Sequence, residues 1–225
     1  MKKAVIIYGP PGSGKGTQAY LLEAVKGFFH FDTGRYLERV VHDPSNSGNK
    51  VVQREKRLFD TGKLCTPSWV LKIVREKTEE LAKSGINVVF SGSPRTLFEA
   101  FGDNKNTGLI KTLEKNYGRK NIKVIALKVS SKTSMFRNSH RQVCSLCGAP
   151  VLYSKKSSSK CAFCDSPVKK RTLDKPEVIK VRLVEYENRT QPIFKKLKDL
   201  RYNIISINGE QPPYKVFRDI IKKIK

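Results

Sequence analysis

"AVIIYGPPGSGKGTQ", residues 4–18, sets an unbroken apolar run against a loop of four glycines, two prolines and one lysine. A short run rich in β-branched residues reads as a buried strand. The loop behind it has no side chains with which to fill a core. Gly9, Gly14 and Lys15 fit the spacing G-x-x-x-x-G-K. Glycines at those places let successive backbone N–H groups curl around phosphate oxygens, and the helix that opens behind them adds its partial positive charge. Lys15 supplies a mobile point charge for the terminal phosphates. The hydroxyl residue that commonly follows the lysine is displaced by one, with Gly16 next and then Thr17. This stretch decides the fold, because a phosphate loop of this kind hangs from the end of a parallel strand.

Outward from it, strand-like runs recur at "GFFHF" (27–31), "INVVFS" (86–91), "VIALKV" (124–129) and "NIISIN" (203–208), with helix-length segments between. That alternation predicts a parallel sheet covered on both faces. The segment 68–85 spaces Val70, Ile73, Val74 and Leu81 at helical intervals and stops at Gly85. A second helix is predicted over 173–189, with Asp174 as its N-cap and Pro176 in its first turn. Val178, Arg182, Glu185 and Arg189 share one of its faces. Two polar segments break the alternation, 32–66 and 142–170, and both read as lobes inserted between core elements.

The chain has 225 residues, 45 Lys and Arg against 20 Asp and Glu, and a net charge of +25. Such a balance attracts polyanions, and the alternatives are a solvated lysine-rich surface or a nucleic-acid footprint. The excess runs through 144–171, with six basic residues and one acidic, and through 195–225, with nine and three. No apolar run approaches the ~18–20 residues that span a bilayer, and the opening "MKKAVIIY" lacks a cleavage site. The expected compartment is the cytoplasm, with no membrane partner.

Four of the five cysteines lie in "CSLCG" (144–148) and "CAFCD" (161–165), as Cys-x2-Cys, thirteen residues, Cys-x2-Cys. Two such knuckles place four thiolates around one Zn²⁺ with no open position, which makes Cys144, Cys147, Cys161 and Cys164 candidate ligands of a structural metal. Disulfides or another thiophilic metal are the alternatives. Cys65 lies apart and is expected to pack as an apolar residue, and His140 is off-spacing.

"GPPGSGKGTQA", "FDTGRYLERVV", "GKLCTPSWV", "SGSPRTLFEA", the cysteine lobe and "RTLDKPEVIKVRLVEYENRTQPI" occur in the order of the adenylate kinases. The chain resembles that family over nearly its whole length, in the long form with a zinc-bearing lid. The resemblance implies an α/β phosphate-loop kinase fold with a five-stranded parallel sheet. It divides the chain into a core (1–31, 67–141 and 171–225), a lobe for the nucleoside monophosphate (32–66) and a zinc lid (142–170). It implies an enzyme, a monomer, that moves the γ-phosphoryl of ATP to a nucleoside monophosphate, AMP by default, with Mg²⁺ accompanying ATP. By resemblance ATP meets Gly12, Ser13, Gly14, Lys15, Gly16, Thr17, Arg137 and Gly209. The acceptor meets Thr33, Gly34, Arg35, Arg39, Gly92, Arg95 and Glu99. Catalysis falls to Lys15, Arg95, Arg141, Arg171 and Arg182, because phosphoryl transfer is mostly positioning plus fixed positive charge.

Three departures from the family concern the acceptor side and the metal. The third strand ends in "FSGSPRT", with Ser91 and Ser93 where the family has Asp and Phe. Magnesium would then rest on the phosphates, Thr17 and waters. After "TG" the family carries an acidic residue and, three places on, a phosphate-binding arginine; here Arg35 and Glu38 exchange the signs, leaving Arg35 or Arg39 to compensate. The adenine-reading glutamine is Glu99, which accepts hydrogen bonds and cannot donate them, so a guanine acceptor is an alternative. The other function class open to the sequence is a nucleic-acid-binding module whose basic ribbon grips phosphates, with only Tyr153 and Phe163 available for stacking.

Overall fold

The computed structural model of the chain describes residues 2–151, 159–170 and 172–224. Its centre is a five-stranded sheet of β1 (Ala4–Tyr8), β2 (Phe29–Phe31), β3 (Val88–Phe90), β4 (Ile122–Lys128) and a last strand, Ile204–Asn208. The spatial order is β2, β3, β1, β4 and then the last strand, every neighbour parallel. The β-branched runs seen in the sequence make these strands: the first matches its run, those at 27–31, 86–91 and 203–208 are trimmed by one to three residues, and β4 begins two residues before its run. β1 lies in the middle and is buried along its whole length. From β1 the chain crosses past β3 to β2, returns to β3, and then passes over β1 to β4. The chain thereby changes direction at the carboxyl end of β1, where ligands of open α/β sheets bind.

Helices cover both faces, as alternating burial requires. Val5 and Ile7 of β1 pack with Val89, Ile125 and Leu127 against α1 (Lys15–Lys26) and the C-terminal helix Pro213–Ile224. Ala4 and Ile6 face the other way, with Phe31, Val88, Phe90 and Val124, onto α4 (Pro67–Lys83), α5 (Leu97–Phe101) and α6 (Leu109–Tyr117). Between β2 and α4 the chain builds α2 (Thr33–His42) and α3 (Lys50–Asp60). Glu55 of α3 is fully buried, and its carboxylate accepts the backbone N–H of Thr66 at 2.6 Å and the Thr66 hydroxyl at 2.6 Å. Desolvation would raise its pKa, but these bonds and the Arg54 guanidinium outweigh it and hold the group below the usual carboxylate value. Cys65 is buried beside it.

After α7 (Ser131–Ser139) come β5 (Gln142–Cys144), β6 (Pro150–Val151) and β7 (Val168–Lys170), a separate antiparallel sheet with β5 in the middle. The helix predicted over 173–189 is not continuous. A single turn at Thr172–Asp174 precedes α8 (Pro176–Glu185), a wide π turn spans Tyr186–Thr190, and α9 (Gln191–Asp199) continues. Lys175, not Asp174, stands at the N-cap, because the Asp174 side chain is taken by two arginines described below. Among the described residues no helix is long and apolar enough to cross a membrane.

Candidate active site

A cleft of about 1390 Å³ opens along the carboxyl edge of the sheet. The loop 9–14 forms its floor. Gly12 has φ +80°, and a Cβ there would meet the Asn138 amide and the Ser134 carbonyl at 2.6 Å, so only glycine lets the loop lie against α7. Ser134 further pins the loop through its hydroxyl, which donates to the Pro11 carbonyl. Gly14 caps α1 in a left-handed conformation, and Gly16 and Thr17 in the first turn line the cleft with Ser13. The Lys15 ammonium donates to the carbonyls of Gly9 (2.6 Å) and Pro10 (2.9 Å). Desolvation, followed by the charges of Arg95, Arg182 and Arg141, pushes its pKa well below the ordinary lysine value. That pattern places three arginines and the lysine around one volume.

Asp174 organises two of these cations. It is buried, and its carboxylate accepts the Arg141 Nε at 2.8 Å and a second, shorter bond from Arg141 Nη2. Arg182 Nη1 donates to Asp174 Oδ1 at 3.3 Å and to the Leu173 carbonyl at 3.1 Å. Two guanidinium groups are thus held side by side by one carboxylate, on a side chain that a reading of the sequence assigns to a helix cap. Pro176 two places later carries the same signal for both roles. Arg137 extends from α7 and donates to the carbonyls of Gly209 (2.7 Å) and Glu210 (3.2 Å). Gly209, at the end of the last strand, lies 3.3 Å from the Ser13 carbonyl when given a Cβ. Arg171 lies outside the described residues.

The acceptor end is built differently. Thr33, buried, begins α2, and Asp32 caps it by accepting the Arg35 N–H at 3.2 Å. A Cβ at Gly92 would sit 3.3 Å from the Gly34 nitrogen, 3.3 Å from Thr33 Cβ and 3.4 Å from Arg95 Nη2. A small cradle of donors therefore surrounds Gly92, at a helix N-terminus. Arg39 and Glu38 also line the cleft, whereas Arg35 reaches across it to the cysteine lobe. Ser91 hydrogen-bonds His30 Nε2 at 2.7 Å. Thr190, at the end of the π turn, donates its hydroxyl to the Arg95 carbonyl at 2.9 Å, which fixes the P-R-T segment from behind. Two buried hydroxyl groups that line this end, Tyr8 and Ser93, have no hydrogen-bond partner among the described residues.

Glu99 is not among the cleft-lining residues. It is buried, its Oε2 accepts the Arg95 N–H at 2.9 Å and its Oε1 the Thr96 hydroxyl at 3.1 Å, while Thr96 Oγ1 accepts the Glu99 N–H. This is a variant of the capping box, with the carboxylate on the N–H of Arg95, one residue before the N-cap, and its T-x-x-E signature stands in the sequence at 96–99. Burial raises the Glu99 pKa against the opposing bonds from Arg95 and Thr96.

In the cysteine lobe the four candidate thiols lie within 4.8 Å of one another, with Sγ···Sγ distances of 3.4 Å for Cys144 and Cys164 and 3.7 Å for Cys147 and Cys161. Four sulfurs at ~2.3 Å from one tetrahedral ion stand roughly 3.8 Å apart, so the set fits a single thiophilic metal. Against desolvation, the N–H groups of Leu146 and Cys147 draw the Cys144 thiol down to about 6, toward the thiolate that a metal needs. Cys144 and Cys147 also line the cleft.

Comparison with known proteins points to one family. The family model for adenylate kinase matches residues 7–201. Similar proteins include "Adenylate kinase" of Chlamydia pneumoniae, 31% identical over 97% of this chain and 96% of that protein. The "Adenylate kinase" of Paracoccus denitrificans is 32% identical over 84% of this chain and 82% of its own length. That of Caldicellulosiruptor saccharolyticus is 32% identical over 92% of each chain. The chain belongs to the adenylate kinase family of ATP-dependent phosphotransferases.

Proposed function

We propose that this protein transfers the γ-phosphoryl group of ATP to AMP, giving two molecules of ADP. The observation that carries the reading is the convergence of Arg95, Arg141 and Arg182 on Lys15, each of which depresses the lysine ammonium. Such a cluster is costly when empty and is relieved by phosphate oxygens. ATP lies along the loop 9–17, with its base against Arg137 and Gly209. AMP lies between α2 and the P-R-T segment, with its phosphate in the cradle at Gly92 under Arg95. Lys15 leaves the Gly9 and Pro10 carbonyls for the terminal phosphates. Arg141 and Arg182, already paired on Asp174, meet the equatorial oxygens as charge spreads there, and Arg171 is assigned to the same clamp. Fixed donors of this kind need no reorganisation at the moment of transfer. Closure of the lobe at 142–170 removes water, which protects ATP from hydrolysis.

Magnesium enters with ATP and offsets phosphate charge; the Thr17 and Ser91 hydroxyls are the oxygen groups offered to its water shell. A zinc ion on Cys144, Cys147, Cys161 and Cys164 supplies folding energy to a lobe with little core. The division into core, acceptor lobe and lid, a monomeric state and a cytoplasmic location complete the reading. Adenine selection rests on the shape of the pocket, since the Glu99 carboxylate is spent on the loop. A coupled assay with ATP against AMP, GMP, CMP and UMP tests the proposal: AMP should be the best acceptor, with a KM above that for ATP. Higher kcat/KM with GMP would overturn it.

A further inference from the structure

The two inserted lobes meet across the cleft at one pair of residues. Arg35 stands in the first turn of α2, and its backbone N–H is held by Asp32 Oδ1. Gly148 follows Cys147 in the first cysteine knuckle, with φ +68°. A Cβ built on Gly148 would fall among the Cζ, Nη1 and Nη2 atoms of Arg35. The guanidinium therefore lies against the knuckle, where any side chain at 148 would have to stand.

Charge makes this contact unexpected. The segment 144–171 has six basic residues and one acidic. That acidic residue, Asp165, is paired with Lys160 at 2.6 Å. A cation brought against so basic a lobe needs an anion elsewhere. Four thiolates around one divalent ion carry a net charge of −2, and one of the four, Cys147, is the residue next to Gly148.

We propose that Arg35 is a positioning residue that latches the acceptor lobe to the lid, its guanidinium held over Gly148 by the negative charge of the metal–tetrathiolate centre. This rests on the reading of the four cysteines as a zinc site. Seating an acceptor beside α2 and closing the lid that follows Arg141 then become one motion. The sign of residue 35, opposite to that of the family it resembles, matches a partner that is an anionic metal centre.

Zinc release tests the latch. The zinc-loaded full chain, with a non-hydrolysable ATP analogue and AMP bound, is mixed with a chromogenic chelator and the release rate followed. Arg35→Ala should bind one zinc per chain and release it about tenfold faster, since loss of one member of a charge pair acts mainly on the off-rate. Arg35→Lys should fall between. Gly148→Ala should speed release in the parent chain and add little on top of Arg35→Ala, because both remove the same contact. Equal release rates for the parent chain and Arg35→Ala, each holding one zinc, would overturn the latch and leave the zinc reading standing. A raised acceptor KM in Arg35→Ala with unchanged release would assign Arg35 to the acceptor phosphate instead. Protein prepared without chelators and containing no metal would overturn the zinc reading and the latch with it.

Discussion

The two ends of the cleft solve the problem of holding phosphate in opposite ways. At the donor end the arginines are fixed by the fold before any ligand arrives, Arg141 and Arg182 on Asp174 and Arg137 on the carbonyls of Gly209 and Glu210, and Lys15 rests on two loop carbonyls that phosphate oxygens can replace. At the acceptor end Arg95 stands with a helix N-terminus and unpartnered hydroxyls, while Glu38 brings a carboxylate into the same cleft and Arg35 points away to the lid. Preorganised charge favours the transition state, where it costs no reorganisation. Neutral donors and a nearby carboxylate instead weaken ground-state binding of a phosphate dianion. The donor end should therefore govern kcat, and the acceptor end KM.

The largest effect expected from this contrast is at the donor end. Lys15→Met and Arg141→Ala should each lower kcat by about 10²-fold or more, the scale of one fixed donor, ~2.7 kcal/mol; Lys15→Met should leave the melting temperature nearly unchanged, whereas Arg141→Ala should also lower it by unpairing buried Asp174. A variant that kept near-full turnover would remove that residue from the clamp. Cys161→Ser should come next. It should strip the metal and lower the melting temperature of the lid, while ATP binding to the loop, read by calorimetry, stays within about twofold.

A pH profile separates the ends further. Lys15 must be protonated to meet phosphate, and its pKa in the free enzyme lies well below the ordinary lysine value. Log kcat/KM should then fall as pH rises through that depressed pKa, earlier than a solvated lysine would require. Lys15→Arg should erase this alkaline limb, whatever it does to the plateau; a limb that persists belongs to another group.

Smaller effects are expected at the acceptor end. Glu38→Arg should lower the AMP KM by roughly fivefold, about 1 kcal/mol for a half-buried charge in the cleft, with kcat unmoved. Glu99→Gln should leave the order of acceptor bases as it is and cost about 1 kcal/mol of stability through the weakened capping box. A shift toward adenine in that variant would return Glu99 to the base pocket.

Much of this was legible in the sequence, because the deciding features are local. The loop at 9–15, the β-branched runs and the cysteine spacing each depend on neighbours within a dozen or so residues, and periodicity reports such neighbours directly. What escaped depends on partners far along the chain. Asp174 looks like a helix cap until Arg141, 33 residues earlier, arrives to claim it. The π turn at Tyr186–Thr190 has no sequence pattern of its own, and its use becomes visible only where Thr190 reaches the Arg95 carbonyl. Glu99 is the exception. Its capping signature was local, and a resemblance to a base-reading glutamine stood in front of it.

The position of β1 has a consequence for the order in which the molecule opens. Its amides and carbonyls are bonded to strands on both sides, and its side chains are no more than 3% exposed. Protons in such a strand exchange with solvent only when the whole domain unfolds. The edge strand β2 and the three short strands around the cysteines have no such shelter. Deuterium should therefore enter the lid first, the acceptor lobe and β2 next, and β1 last. The phosphate loop is thereby tethered to the slowest-opening segment of the chain, so local openings elsewhere can come and go while Lys15 and the loop keep their shape.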